Sequence, residues 1–132
     1  MTLGSPDQHA DVVLPHGLTG PELLRAVAAA RDRAAVPDAL TLVGHGSSGV
    51  AVLSLALHQR RLGIGIAHAV CVGASGEEDP VSGGPLPDPA PPRTATRVTL
   101  VAGGDPASIA WTRRTATAWR AAGWPVTTDQ LT

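Results

Sequence analysis

The 132-residue chain contains no Phe, no Tyr and no Lys, three Trp and one Cys. Aromatic content of 2%, carried by Trp111, Trp119 and Trp124, leaves few rings on which bases or sugars could stack. The single Cys71 excludes an internal disulfide and a cysteine-built zinc site, and suits a reducing compartment. Charged residues make up 16% and the formal net charge is −1, so no broad basic surface draws nucleic acid or anionic lipid. The longest uncharged apolar run, Gly49 to Leu57, is far short of the ~20 residues a membrane helix needs. No basic, apolar, small-residue signal pattern opens the sequence. The expectation is a soluble, cytoplasmic protein. All ten basic residues are Arg, and Lys, Asn, Phe and Tyr share codons rich in A and T, so a GC-rich genome explains the bias without any appeal to function.

Hydrophobic residues make up 43%, enough for one core and one domain over residues 1–132. Asp11 to Leu14 reads as a short buried strand that leaves the sheet through Pro15, His16 and Gly17. Thr19 or Gly20 then caps a helix with Pro21 in its first turn and Glu22 near the positive end of the dipole. Leu23, Val27, Ala30 and Ala34 fall at helical spacing, and the helix ends before Pro37. Ala39 to Val43 is a second strand, and Gly44-His45-Gly46-Ser47-Ser48-Gly49 turns it into a helix running to about Leu62, with Gly63 as its stop. From Val50 to Leu57 only Ser54 interrupts the apolar run, so this helix should be covered on several sides and the strand before it should be central. His58, Gln59, Arg60 and Arg61 mark the end that emerges into solvent.

Ile66 to Val72 makes a third strand. Residues 73–97 hold six Pro and four Gly, which prevents a regular helix or a central strand and marks a long loop. Val98 to Ala102 is a fourth strand, Asp105-Pro106 caps a helix carrying Ile109, Ala116 and Trp119, and Val126 to Thr128 adds a short last strand. Alternating strands and helices predict an α/β fold: a three-layer sandwich with a mainly parallel sheet of four to five strands. Residues 1–10 are expected to be a flexible N-terminus.

The run Leu42-Val43-Gly44-His45-Gly46-Ser47-Ser48-Gly49 resembles the nucleophile elbow of α/β hydrolases, especially the small thioesterases of polyketide and peptide assembly lines. Leu55-Ala56 and Arg60-Arg61-Leu62-Gly63 are similar to that family's elbow helix. Ala67-His68-Ala69-Val70 with Val72-Gly73-Ala74-Ser75 resembles its next strand, and Val98 through Asp105 the strand that ends in its acid. The likeness spans roughly residues 39–75 and 97–124 and implies a truncated hydrolase-like sheet acting on or binding acyl-type ligands, with no cofactor.

In the elbow, small residues two before and two after the nucleophile permit a strained turn that lifts a hydroxyl beside backbone N–H donors. In that register the nucleophile position is Gly46, which has no hydroxyl, while Ser47 and Ser48 follow as candidate nucleophiles or as helix-capping serines. Asp105 takes the acid's place and equally suits a helix cap. The family's C-terminal His has no counterpart, since no His follows His68. His16 and Gly17 resemble the His-Gly of an oxyanion loop, where the backbone N–H acts; His45 is the ordinary residue before the nucleophile, His68 begins a strand, and His9 and His58 read as solvated. The implied triad is therefore not assembled, and the helical lid and the preceding strands of the family have no match here.

Val43-Gly44-His45-Gly46-Ser47 also resembles the start of small sirohydrochlorin-type chelatases, as does the segment from Asp105-Pro106 to Trp124, which would make His45, with His16, a metal-handling residue. Two histidines without a carboxylate cluster predict no tight divalent site. A third class is a non-catalytic module that binds an acyl ligand or a partner protein at its open strand ends. The loop at 73–97 carries Glu77, Glu78 and Asp79 and little apolar cover, so the pocket end is expected to be either exposed or closed by self-association or a partner subunit.

Overall fold

The computed structural model describes residues 9–131. Of the segment expected to be flexible, only His9 and Ala10 lie within them. Eight elements alternate along the chain: β1 (Val12–Leu14), α1 (Gly20–Arg33), β2 (Leu40–His45), α2 (Ser47–Leu62), β3 (Ile66–Val72), β4 (Arg97–Ala102), α3 (Pro106–Ala121) and β5 (Val126–Gln130). The five strands form one parallel sheet in the order β1-β2-β3-β4-β5. The α/β class and the strand count agree with the sequence. The strand before the apolar helix is interior, but β3 rather than β2 holds the middle place.

Because parallel crossovers are right-handed and each step moves the same way across the sheet, every helix is brought to the same face. The buried side chains bear this out. Leu23 and Val27 of α1, Val50 to Ala56 of α2 except Ser54, and Ala116 and Trp119 of α3 share one apolar cluster with Leu42, Ala69, Cys71, Val98 and Leu100 of the strands. Parallel register lines these up in rows, Val12-Leu42-Ala69-Val98-Val126 and Leu14-Gly44-Cys71-Leu100-Thr128. Strand alternation sends the intervening residues to the other face. There Val43, Val70, Val72 and Val101 form a second, smaller buried cluster with Ala10 packed against it, each such Val contributing about 1.5–3 kcal/mol of burial.

Local sequence sets the helix boundaries. Thr19 and Glu22 form a capping box: the Glu22 N–H donates to Thr19 Oγ1 and the Thr19 N–H to Glu22 Oε1. These two hydrogen bonds with Thr19, more than the charge of Arg25, hold the Glu22 carboxyl below its usual range. Asp105 caps α3 by accepting the Ser108 N–H at 3.1 Å. Gly63 ends α2 with φ 69°. Ser47 and Ser48 are a different case: neither side chain caps α2, whose N-cap is Gly46 with no side-chain bond. The expected serine cap is therefore absent: Ser47 and Ser48 sit inside the helix, one and two residues past the capping position.

The long loop is not a bare linker. Asp79 is fully buried and its carboxylate accepts the Val81 and Ser82 N–H groups, closing a turn bridged from Asp79 to Gly84. Val81 and Leu86 pack on the main core, and the Trp124 indole N–H donates to the Ala90 carbonyl at 2.7 Å. Apolar contacts and one tryptophan thus hold the loop to its own chain. Among the described residues no helix is long and apolar enough to cross a membrane.

Candidate functional site

In a parallel sheet the loops after the strands gather at one edge, and that is where ligands meet α/β folds. Here the segments after β1, β2 and β3 meet there, bringing His16, Gly46-Ser47 and Glu77 into one site.

The elbow is formed by close backbone approach. A Cβ on Gly44 would stand 2.2 Å from the Ser48 carbonyl oxygen, and one on Gly49 would stand 2.7 Å from Cys71 Sγ. Only glycine lets the first turn of α2 cross β2 and β3 this tightly. Gly46 adopts φ 58° and ψ −124°, a left-handed backbone that costs any side-chain-bearing residue strain. The elbow-shaped turn implied by the sequence is present, and its strained residue is the glycine.

His16 occupies the space where a side chain on residue 46 would stand. A Cβ there would lie 2.2 Å from His16 Nδ1. The ring is held by the residue after the elbow: the Ser47 N–H donates to His16 Nδ1 at 3.0 Å, and Ser47 Oγ lies 3.3 Å from the same nitrogen. Since Nδ1 accepts a backbone N–H, the proton of the neutral ring is on Nε2. The Gly17 N–H donates to Ser47 Oγ at 3.2 Å. The two N–H groups that resemble oxyanion donors, from Gly17 and Ser47, are thus engaged by the protein's own side chains. His16 was expected to contribute only its backbone, but its imidazole is the group that meets the elbow.

Glu77 completes the cluster. Burial pushes its carboxyl up, but the Ser75 N–H at 2.8 Å, its own N–H, the Ser75 hydroxyl and the nearby His16 together outweigh this and hold it below the usual range. Sequence reasoning took Glu77 only as a loop charge. The available signal was its position five residues beyond a central parallel strand, where side chains return to the ligand edge. Burial, with Glu77's charge adding to it, drives the Cys71 thiol far up, so this cysteine is an inert packing group.

The remaining candidates are not brought together with these. Ser48 is fully buried and donates to the Pro15 carbonyl at 2.6 Å, tying α2 to the end of β1. Asp105 is exposed and spends its carboxylate on the α3 cap. His45, half-buried at the end of β2, shares Val43's face of the sheet, away from the helices. His68 lies on that face too, with Nε2 2.7 Å from Thr99 Oγ1, and partial burial together with the charge of Arg97 holds it below its ordinary value. His58 is half-buried rather than solvated, its Nδ1 donating to the Ser54 carbonyl at 2.9 Å. Among the described residues no three His, Cys, Asp or Glu side chains gather as a metal site. Beside Glu77, a recess of about 250 Å³ opens between Pro85, Leu86, Pro87 and Trp111. In comparisons with protein-family models and with curated proteins, the chain matches none.

Proposed function

We propose that this is a thioesterase-like α/β protein that binds an acyl-type ligand at the elbow and has no nucleophile at the elbow position. One observation carries the reading: Gly46 takes the strained elbow backbone while the His16 ring fills the space a nucleophilic side chain would need. What the turn retains is its pair of backbone donors. A carbonyl or carboxylate oxygen can take the Gly17 and Ser47 N–H groups once His16 swings aside and the Ser47 hydroxyl rotates off the Gly17 N–H, with the acyl portion directed toward the recess lined by Leu86 and Trp111.

The test is a calorimetric titration with octanoyl-N-acetylcysteamine and with octanoate, monitored for thiol release. The reading expects saturable binding and little turnover. It also expects several-fold tighter binding in His16→Ala, because the imidazole competes for the Ser47 N–H, and weaker binding in Trp111→Ala. Absence of binding, or affinity indifferent to both substitutions, rejects it.

A second reading rests on the 3.3 Å approach of Ser47 Oγ to His16 Nδ1, with Glu77 beside the ring: Ser47 as a nucleophile one residue past the usual position. The Ser47 N–H already occupies the Nδ1 lone pair at the shorter distance, which leaves the imidazole a poor base for the hydroxyl. Thioester turnover abolished by both Ser47→Ala and His16→Ala would promote this reading over the first.

A further inference from the structure

At the opposite end of α2, far from the elbow, a cavity of about 500 Å³ lies between the last turn of that helix and the loop segment Ala90 to Thr94. Its charged lining is of one sign. Arg60 and Arg61 come from the helix and Arg93 from the loop, His58 adds an imidazole, and no acidic residue lines it.

Two ordinary explanations for these arginines fall short. Basic residues in a last helical turn offset the dipole and its open carbonyls. Here two of the last carbonyls, those of Arg60 and Gln59, are already served by the Gly63 and Ile64 N–H groups, and the Arg31 guanidinium takes the carbonyl of the cap residue Gly63 at 2.9 Å. Arg93 is not on the helix and gains nothing from its dipole. Surface ion pairing fails as well, because among the described residues the guanidinium hydrogen bonds are made by Arg31 and Arg120, both to carbonyls. The whole chain carries a formal net charge of −1, so this concentration of cations is local.

The walls are fixed before any ligand arrives. The Trp124 indole N–H holds the Ala90 carbonyl, and its ring packs on Trp119 with centroids 4.8 Å apart. Thr94 Oγ1 meets Thr96 Oγ1 at 2.8 Å, and Thr96 in turn accepts from Gln59 Nε2 at 2.8 Å. The loop is therefore pinned on both sides of Arg93, to Trp124 at Ala90 and to Gln59 of α2 through Thr96, so binding needs little ordering of the backbone. Ala56, Leu57 and Pro91 supply apolar lining between the charges.

We infer that this cavity is a binding site for a small phosphate monoester, the phosphate held by Arg60, Arg61 and Arg93 and its organic portion set against the apolar lining. Three guanidinium forks offer more donors than one carboxylate can accept, whereas the three terminal oxygens of a phosphate dianion match them. The volume is within the ~300–1,000 Å³ typical of small-molecule sites. This site is independent of the elbow and of any acyl chemistry there.

Phenyl phosphate and inorganic phosphate, titrated separately into the full chain at low ionic strength, test the inference. One saturable site for phenyl phosphate is expected, with inorganic phosphate at least tenfold weaker. Arg93→Gln and Arg60→Gln should each weaken phenyl phosphate binding tenfold or more, while Arg113→Gln, on α3, leaves it unchanged. Thermal melts confirm that these variants, all at exposed positions, remain folded. In the unsubstituted protein the Trp124 indole N–H resonance should shift on addition of phenyl phosphate, a readout that needs no variant. Lack of saturation, an unmoved Trp124 signal, or equal loss in Arg93→Gln and Arg113→Gln would overturn the inference.

Discussion

The two ends of α2 are built in opposite ways. At the elbow end, position is set by side chains that are missing: Gly44 and Gly49 let the helix close on the strands' backbone, and Gly46 leaves the space that the His16 ring fills. At the far end it is set by one side chain with every hydrogen-bonding group used. Gln59 Nε2 donates to the Ala56 carbonyl and to Thr96 Oγ1, and Gln59 Oε1 accepts the Ile66 N–H. The first device leaves room around a pair of backbone donors and admits a neighbour's imidazole. The second makes a rigid floor under the arginine-lined cavity. One helix therefore supports two ends of different chemistry, one built on backbone donors beside the carboxylate of Glu77, the other cationic and formed by side chains.

The most damaging change should be Gly44→Ala. The new methyl would stand 2.2 Å from the Ser48 carbonyl oxygen and 2.7 Å from the Gly49 nitrogen, atoms of backbone that cannot turn aside. We expect a loss of about 3 kcal/mol or more, seen as a lowered midpoint in urea, together with loss of any ligand response at the elbow. If Gly44→Ala melts with the unsubstituted chain, the close approach is not what fixes the elbow.

Gln59→Leu attacks the other end and should cost less, about 2 kcal/mol, because the principal injury is one buried N–H, that of Ile66, left without a partner. Thr96 keeps its bond to the Ile66 carbonyl. The expected signature is local: faster amide exchange at Ile66 and Thr96, weaker phenyl phosphate binding, and an unaltered elbow. Equal disturbance at both ends would show that α2 transmits strain along its length.

These two ends were not equally legible in the sequence. The glycine pattern Gly44-x-Gly46-x-x-Gly49 announces a tight strand-to-helix turn, because a missing side chain is itself visible in the sequence. Thr19, Asp105 and Gly63 declare their caps in the same local way. His16 and Glu77 are 61 positions apart in the numbering and meet only because β1 and β3 flank β2, so their association required the strand order. Gln59 read as a residue at a solvated helix end; its burial depends on Thr96 and Ile66, which sequence spacing does not connect. The loop was judged by its Pro and Gly content, which excludes helix but says nothing of Trp124 holding Ala90.

Acid should separate the ends further. His68 lies below its ordinary value of about 6.5, so as pH falls through that value the unfolded chain takes up the proton first. Its contribution is present above about 6.5 and is lost as pH falls toward the folded-state value, on a scale below about 1 kcal/mol for a half-exposed group. The Glu77 carboxyl is held below its usual value of about 4.5, so its contribution is present above that value and is lost as pH falls through the lower folded-state value. Urea midpoints measured from pH 7.5 to 3 should therefore fall in two stages, with the first removed by His68→Gln and the second, to which the capping Glu22 also contributes, reduced by Glu77→Gln. A single stage unaffected by His68→Gln would mean that its ring is as well solvated in the folded chain as in the unfolded one.

The smallest effect is expected midway between the two ends, and it has the opposite sign. Ser54 is fully buried in α2, and its hydroxyl has no hydrogen-bond partner among the described residues, although its backbone carbonyl accepts from His58. A buried hydroxyl without a partner has lost its water and gained nothing in exchange. Ser54→Ala removes that oxygen, leaves the carbonyl bond to His58 intact, favours the helix slightly, and opens a space no larger than one atom. The balance should favour the alanine variant by about 0.5–1 kcal/mol, read as a raised urea midpoint with an unchanged slope. Both ends should keep their ligand responses, because the middle of α2 contributes packing alone. A loss of stability would show that the hydroxyl has a partner after all, such as an enclosed water, and the middle of the helix would then share the bonded character of its far end.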